Sequence, residues 1–406
     1  MRVVLLNLYY APDEAATAQL LADVGAGLAA AGNEVVAVCS DRAYADPRQR
    51  YPRNETIDGV SVRRVRSSGF GRGHAIGRLL DYLSFYVGAG VEVLFRADPD
   101  VVIALTTPPM VAALGVLASK LRHGRSVFWV MDVYPELAFE LGVLRRGSMA
   151  ARTLRALSVW ILRRSDRVVA LDDAMAEKLR TLGAGRVVVI HNWADDASIA
   201  QGSAGESPLR QEWGWRGRFV VLYSGNLGLA HEFETVLDAA EKFRNRRDVL
   251  FAFVGGGPRR AAAEAEVTRR GLPNVEFRPY VPRERLGDSL PAGDVHLVTL
   301  RPNMPGLLVP SKIYGILAAA RPTIYIGPAA GAVYEIVSGG ACGTVLANGD
   351  ADGLAAAIES YAGDPERRRR EGVAARRLFE DRHAKHHGVA AFTSLVTSLS
   401  RNGAPA

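Results

Sequence analysis

The chain has 406 residues, 48% hydrophobic and 23% charged. That is ordinary globular composition, which excludes a mostly disordered polypeptide and suggests two or three domains at roughly 100–200 residues each. Lys and Arg number 50 against 43 Asp and Glu, a formal charge of +7, so an anionic partner is expected, whether nucleic acid, a membrane surface or a phosphorylated small molecule. Two cysteines, Cys39 and Cys342, are too few for a disulfide framework and point to a reducing compartment.

The opening MRVVLLNLYYAPDE carries one Arg, a short apolar run, Pro12 and two acids, with no small-residue cleavage site. It reads as a first strand, not an export signal. The charge-free stretch 101–119 is interrupted by Thr106, Thr107, Pro108 and Pro109, which breaks any helix long enough to cross a bilayer. A soluble or surface-bound chain is expected.

Strand-like apolar runs lie at 3–8, 34–39, 60–65, 101–105, 127–131, 168–171 and 187–190. Between the first two, Leu20, Leu21, Val24 and Leu28 recur at helical spacing, and Gly32 ends the helix. The runs are nearly continuous in Val, Ile and Leu, as in parallel strands covered on both faces. Residues 200–217 break this rhythm with Gly, Ser and Pro and read as a linker. Strands then resume at 219–223, 249–254, 275–277, 295–300, 323–326 and 344–346, and a helical segment from about 351 ends in a polar tail. The expected fold is α/β with two doubly wound, Rossmann-like domains: 1–199, then the linker 200–217, then 218–380, with a C-terminal helix and tail at 381–406. Ligands in such sheets bind beyond the carboxyl ends of the strands, where helix N-termini favour anions.

Four segments carry candidate chemistry. Gly255-Gly256-Gly257-Pro258 follows a strand and precedes a helix beginning Arg259-Arg260; it is either a plain tight turn or a place where backbone approaches a ligand. Tyr223-Ser-Gly225-Asn226-Leu-Gly228 also follows a strand, with His231 at the mouth of a helix starting near Phe233. In Val309-Pro-Ser311-Lys312-Ile-Tyr314, Ser311 is a good helix start, which leaves Lys312 in a first turn where the dipole disfavours a cation. A phosphate beside Lys312 would explain that placement; a solvated lysine is the alternative. Asp132, in VMDVYPE, lies just beyond a strand and either orients a substrate hydroxyl or forms a turn before Pro135.

In order, LNLYYAPDEAATAQLLADVGAGLAAAGNEV, VMDVYPELAFELGVL, YSGNLGLAHEF, FVGGGPRR, FRPYVPRERL, GDVHLVTLRP and VPSKIYGILAAARP make the chain resemble the retaining GT-B glycosyltransferases of family four. It looks closest to bacterial colanic-acid, capsule and O-antigen sugar transferases. The resemblance implies two domains facing a central cleft, with C-terminal helices packing back on the N-terminal domain. It implies a nucleoside-diphosphate sugar as co-substrate, a UDP-sugar before a GDP-sugar, with no other cofactor and no metal. Gly225, Asn226, Gly255, Gly256, Pro258, Tyr280 and Val281 match nucleotide-side loops; Ser311, Lys312 and Tyr314 match the donor loop, and Glu335 a glutamate that follows it. Thr17 falls on the acceptor or phosphate side. Two carboxylates that relatives space across the donor loop are Leu307 and Gly315 here, and a diphosphate-clamping Arg and Lys are Asn226 and His231. Lys312 is therefore expected to carry much of the diphosphate charge, with His231 assisting and Asp132 orienting donor sugar or acceptor.

Residues 1–200 hold 24 basic and 21 acidic residues and the remainder 26 and 22, an even division that argues against a nucleic-acid arm. The charge is local: 145–167 has seven arginines against Asp166, interleaved with Leu, Val, Ile and Trp160. Residues 70–95 place Arg72, His74 and Arg78 beside an aromatic-rich run. Arg152, Arg155, Trp160, Arg163 and Arg164 are thus candidates for an anionic membrane face, the alternative being helices that cover the sheet with solvated arginines. The resemblance favours a polyprenyl-diphosphate-linked acceptor and a cytoplasmic protein peripheral to the inner membrane face. Competing readings are glycosylation of a soluble small molecule, a sugar-nucleotide epimerase, and a non-catalytic sugar-nucleotide-binding protein.

Overall fold

The computed structural model describes residues 1–46, 48–70, 75–195, 199 and 207–400. These form two compact units. The first comprises Met1–His191, Gly306–Leu308 and the chain from His386; the second comprises Asn192–Pro305 and Val309–Lys385.

The first unit is built on β1 (Arg2–Leu6), α1 (Ala16–Ala30), β2 (Glu34–Ser40), β3 (Asn54–Ile57), β4 (Val60–Val65) and α2 (Ala75–Val91). It continues through β5 (Val101–Ala104), α3 (Ala112–Leu121), β6 (Arg125–Trp129), α4 (Glu136–Glu140), α5 (Met149–Arg164), β7 (Arg167–Ala170), α6 (Asp173–Thr181) and β8 (Val187–Val189). Its eight strands run in the order β3-β4-β2-β1-β5-β6-β7-β8, all parallel except the β3–β4 pair. In β1, Val3, Val4, Leu5 and Leu6 are all fully buried, as a strand covered on both faces requires. The expected runs agree with these strands to within a residue or two. β3 was not anticipated: NETI has no apolar run, and its side chains alternate between exposed and half-buried on a sheet edge.

Strand order reverses between β1 and β5. Right-handed crossovers then put α1 on one face of the sheet and α2, α3 and α5 on the other.

The second unit runs α7 (Pro208–Glu212), β9 (Phe219–Ser224), α8 (Glu234–Lys242), β10 (Val249–Val254), α9 (Arg260–Arg270), β11 (Val275–Arg278) and α10 (Leu286–Ser289). It ends with β12 (Val295–Thr299), α11 (Lys312–Ala318), β13 (Thr323–Ile326), α12 (Ala332–Gly339), β14 (Gly343–Leu346), α13 (Ala351–Gly363) and α14 (Pro365–Leu378). Its six strands are all parallel in the order β11-β10-β9-β12-β13-β14, which is the Rossmann order with a switch point between β9 and β12.

Two expectations change. Of the linker 200–217, residues 200–206 lie outside the described residues, but 207–217 belong to the second unit. There Leu209 and Trp215 are fully buried, the Trp215 indole donates to Glu276 at 2.9 Å, and Arg210 is ion-paired with Asp294. Of the C-terminal helices, only α15 (Lys385–Ser398) returns to the first unit. Its Phe392 ring lies 4.2 Å from Trp129, and Val389 fills the space that a side chain at Gly27 would need. α13 and α14 remain with the second unit.

Candidate active site

At the second unit's switch point, β9 ends in Ser224 and the chain turns through Gly225 and Asn226. The neighbouring strand β10 ends in Val254 and turns through Gly255-Gly256-Gly257. The two turns lock together, with Gly225 N–H donating to Val254 O at 2.9 Å and Leu227 N–H to Gly256 O at 2.7 Å. Gly255 has φ +144°, and a Cβ there would lie 2.1 Å from Gly225 O; at Gly257, φ +132°, it would lie 2.3 Å from Asn226 Oδ1. These glycines are thus demanded by the packing of one loop on the other, which leaves the rim of Asn226, Gly256, Pro258 and Tyr280 facing outward. Asn226, Pro258 and Tyr280 are exposed, while Val281 packs against the core.

His231 bridges the switch point. It is 8% exposed, and its Nδ1 donates to Thr299 O at the end of β12, 2.6 Å away. Burial, and then the neighbouring Lys312 charge, pull the imidazole down to about 3. The ring is therefore neutral at working pH, with its only N–H committed to a carbonyl. The expectation that His231 adds positive charge does not hold for this state; it presents an acceptor lone pair at Nε2. Its burial also sets it apart from a solvated surface histidine.

Lys312 is the central group. Its Nζ is hidden from solvent and has no hydrogen-bond partner. It sits 3.3 Å from the centroid of the Tyr223 ring, and a Cβ on Gly225 would be 3.7 Å from it. Burial pulls the ammonium well below its ordinary range. The ring face offers some compensation, but a buried cation without an anion is costly. The expected explanation through the helix dipole is replaced by this one. α11 is one short helix of 7 residues, and Ser311 stands exposed at its N-cap without a side-chain cap bond. Lys312 seeks an anion because its ammonium is desolvated and unpaired.

Other expected donor residues divide. Tyr314 is fully buried, its ring 5.1 Å from His383, so it supports α11 from behind and presents no surface to a ligand. Glu335 is exposed in the first turn of α12. Gly315 lies within α11 near Leu290, and Leu307 is buried in the first unit. Tyr223, Thr299 and Arg259 were not anticipated. Arg259 donates to His231 O at 2.7 Å and pairs with Glu234 at 2.6 Å, fixing the histidine turn. A strand-end tyrosine carries no sequence signal that a lysine ninety residues on will lie over its ring.

In the first unit, Asp132 follows β6. Its backbone bridges to Leu308, and Val133 N–H donates to Leu307 O at 2.8 Å. Desolvation raises the carboxyl to about 6. At this unit's switch point, Asn7 Nδ2 donates to Tyr9 O at 2.8 Å and reaches Thr17 Oγ1 at 3.5 Å. Asp100, just before β5, accepts from Arg2 N–H at 2.9 Å. On α5, Arg152, Arg155, Arg163 and Arg164 are exposed and Trp160 is half-buried; Arg155 lies 3.5 Å from the buried Glu136. Arg72 and His74 lie outside the described residues. Among the described residues, no helix is long and apolar enough to cross a membrane.

Residues 16–193 match the glycosyl transferase 4-like domain and residues 218–364 the glycosyl transferases group 1 domain. A probable glycosyltransferase, WbjE of Pseudomonas aeruginosa, is 31% identical over 56% of this chain and 57% of its own length. The putative colanic acid biosynthesis glycosyl transferase WcaI of Escherichia coli is 27% identical over 78% and 81%. Anabaena HepE, solved with UDP and glucose, superimposes with a TM-score of 0.74 at 17% identity, covering 98% of this chain and 100% of that one. Two parallel-sheet units of this topology, each carrying its own glycosyltransferase domain, place the chain among the family-four GT-B glycosyltransferases.

Proposed function

We propose that the protein transfers a sugar, with retention and without a metal, from a UDP-sugar to a lipid-linked acceptor in the synthesis of a cell-surface polysaccharide. The observation that carries this reading is the unpaired, desolvated ammonium of Lys312 at the glycine turns of the second unit's switch point. A diphosphate supplies the anion it lacks, and charge-assisted hydrogen bonds to such a group are the strong ones. As the glycosidic bond breaks, negative charge grows on the departing diphosphate, and a fixed cation in a dry site stabilises that charge without reorganising. N–H groups of the 225–228 and 255–258 turns that are not spent on locking them, those of Asn226, Gly228, Gly256 and Gly257, add to it. Asp132, ionised above about pH 6, accepts a hydrogen bond from a hydroxyl of donor sugar or acceptor. The likeness to WcaI supports the polysaccharide reading, and the likeness to HepE supports UDP.

A thermal-shift panel of UDP-, GDP- and dTDP-sugars tests the donor: the midpoint should rise with UDP-sugars first, because a ligand bound only by the folded state stabilises it. Transfer to a polyprenyl-diphosphate-linked acceptor, with the product anomer read by NMR, tests the remainder. Transfer only to soluble acceptors would favour a small-molecule transferase. Donor conversion without an acceptor would favour an epimerase, and donor binding without turnover a non-catalytic protein.

A further inference from the structure

On α2 the side chains turned to solvent are Ile76, Leu79, Leu80, Leu83, Val87 and Val91, a stripe at helical spacing that Phe95 continues beyond the helix. Ile76 is 75% exposed, Leu79 65%, Val87 63% and Phe95 68%. A contiguous apolar stripe of this length is a surface that another phase or molecule covers. Of the other residues of α2, Phe85 is fully buried, while the exposed Arg78 and the half-buried Asp81 and Tyr82 line a surface pocket with Tyr9, Arg42 and Tyr44.

The elements beside the stripe say what covers it. α3 lies on the same face and adds exposed Leu117 and Leu121; α5 packs beside α3 and adds its four exposed arginines. The sequences of α2, α3 and α5 hold six basic residues (Arg78, Lys120, Arg152, Arg155, Arg163 and Arg164) and one acid, Asp81. Asp81 is already held by Ser68 Oγ at 2.7 Å and Phe70 N–H at 3.1 Å. A second copy of the chain would bring the same positive charge against this face and be repelled. An anionic bilayer satisfies both halves of the pattern, since acyl chains take the stripe and headgroup phosphates take the arginines and Lys120.

We infer that α2 is the element seated on an anionic lipid surface, with α3 and α5 as its basic flank. This deepens the lipid-acceptor reading and rests on it. The pocket lined by Arg78, Asp81 and Tyr82 then opens beside the headgroup layer, where the phosphates of a lipid-linked acceptor lie.

The test is flotation of the full chain with phosphatidylcholine vesicles with and without phosphatidylglycerol, at low and high salt. The intact chain should float with the anionic vesicles, less so at high salt, and scarcely with neutral ones. Leu79→Ser/Leu83→Ser/Val87→Ser should lower partitioning by about tenfold or more. Arg152→Gln/Arg163→Gln/Arg164→Gln should lower it by about tenfold or more and remove much of the salt dependence. Both variants alter exposed side chains and should keep the parent's thermal midpoint and its UDP-sugar shift. Equal flotation of the triple Ser variant and the parent, or no flotation of the parent at low salt, overturns the inference. So does a concentration-dependent dimer abolished by the Ser variant, which would assign the stripe to a second copy. A missing UDP-sugar shift in the parent with intact flotation would instead defeat the transferase reading alone.

Discussion

The two units share a parallel doubly wound sheet, yet their switch points carry opposite electrostatics. Between β9 and β12 lie a buried ammonium with no counter-ion and a histidine kept neutral, set among glycine turns that lock on each other. In the first unit the corresponding loops carry Asn7, Thr17 and, one strand further, Asp132, whose carboxyl is raised to about 6. One site lacks an anion; the other offers hydroxyl-binding groups, among them a carboxyl that ionises above about 6. The fold supplies the crevice in both cases, and a few side chains decide which substrate it suits.

The largest expected effect lies in the frame that holds the cationic site. Gly255→Ala introduces a Cβ 2.1 Å from Gly225 O at φ +144°. The second unit should lose about 3 kcal/mol, from strain and from separation of the two turns, read by urea unfolding. An unchanged midpoint would mean that the turns are not mutually locked.

Lys312→Met separates binding from stability. The variant removes a buried unpaired charge, so the ligand-free protein should melt at the same temperature or higher. Donor kcat/KM should fall by about 30–100-fold, the worth of a strong charge-assisted contact, and the UDP-sugar thermal shift should vanish. A fall in stability with intact donor kinetics would make Lys312 a structural residue and erase the contrast between the units.

Much of this architecture is legible in the sequence because parallel strands are covered on both faces and so appear as unbroken Val, Ile and Leu runs. β3 is not, since an edge strand with NETI buries too little to show a pattern. Residues 207–217 mislead for the opposite reason: Ser207, Pro208, Gly214 and Gly217 read as punctuation of a linker while Trp215 and Leu209 fill the core. At the site, the glycine turns, His231 and Lys312 can all be picked out in the chain. Their states cannot, because desolvation of Lys312 and neutrality of His231 depend on Tyr223 and Thr299, which are distant in sequence. The stripe on α2 is legible as an apolar run, but only packing tells that Phe85 turns inward and the leucines outward.

The first unit's site predicts a pH dependence. The raised Asp132 carboxyl ionises only above about 6, so transfer should fall as the pH drops through that value. Asp132→Asn should lose about tenfold in kcat/KM at pH 8 and lack the acid limb. An acid limb that persists in Asp132→Asn would assign it elsewhere.

The smallest effect concerns His231 and fixes its role. Its folded-state value of about 3 lies below the ordinary 6.5, so the unfolded chain takes up the proton first. Its contribution to stability is complete above pH 6.5 and declines as the pH falls from there towards 3, by about 2 kcal/mol at pH 5. Asn at this position can keep an N–H donor for Thr299 O without titrating. The stability difference between the parent and His231→Asn should therefore shift in favour of Asn as the pH is lowered, a comparison that cancels the similar titration of buried His296. His231→Leu leaves the Thr299 carbonyl unpaired and should cost about 1–2 kcal/mol at pH 7.5. With the ring neutral, donor KM in His231→Asn should change by no more than about threefold. A loss comparable to that of Lys312→Met would mean that the imidazole takes up a proton when the diphosphate enters, and the second unit's site would then hold two cations in its working state.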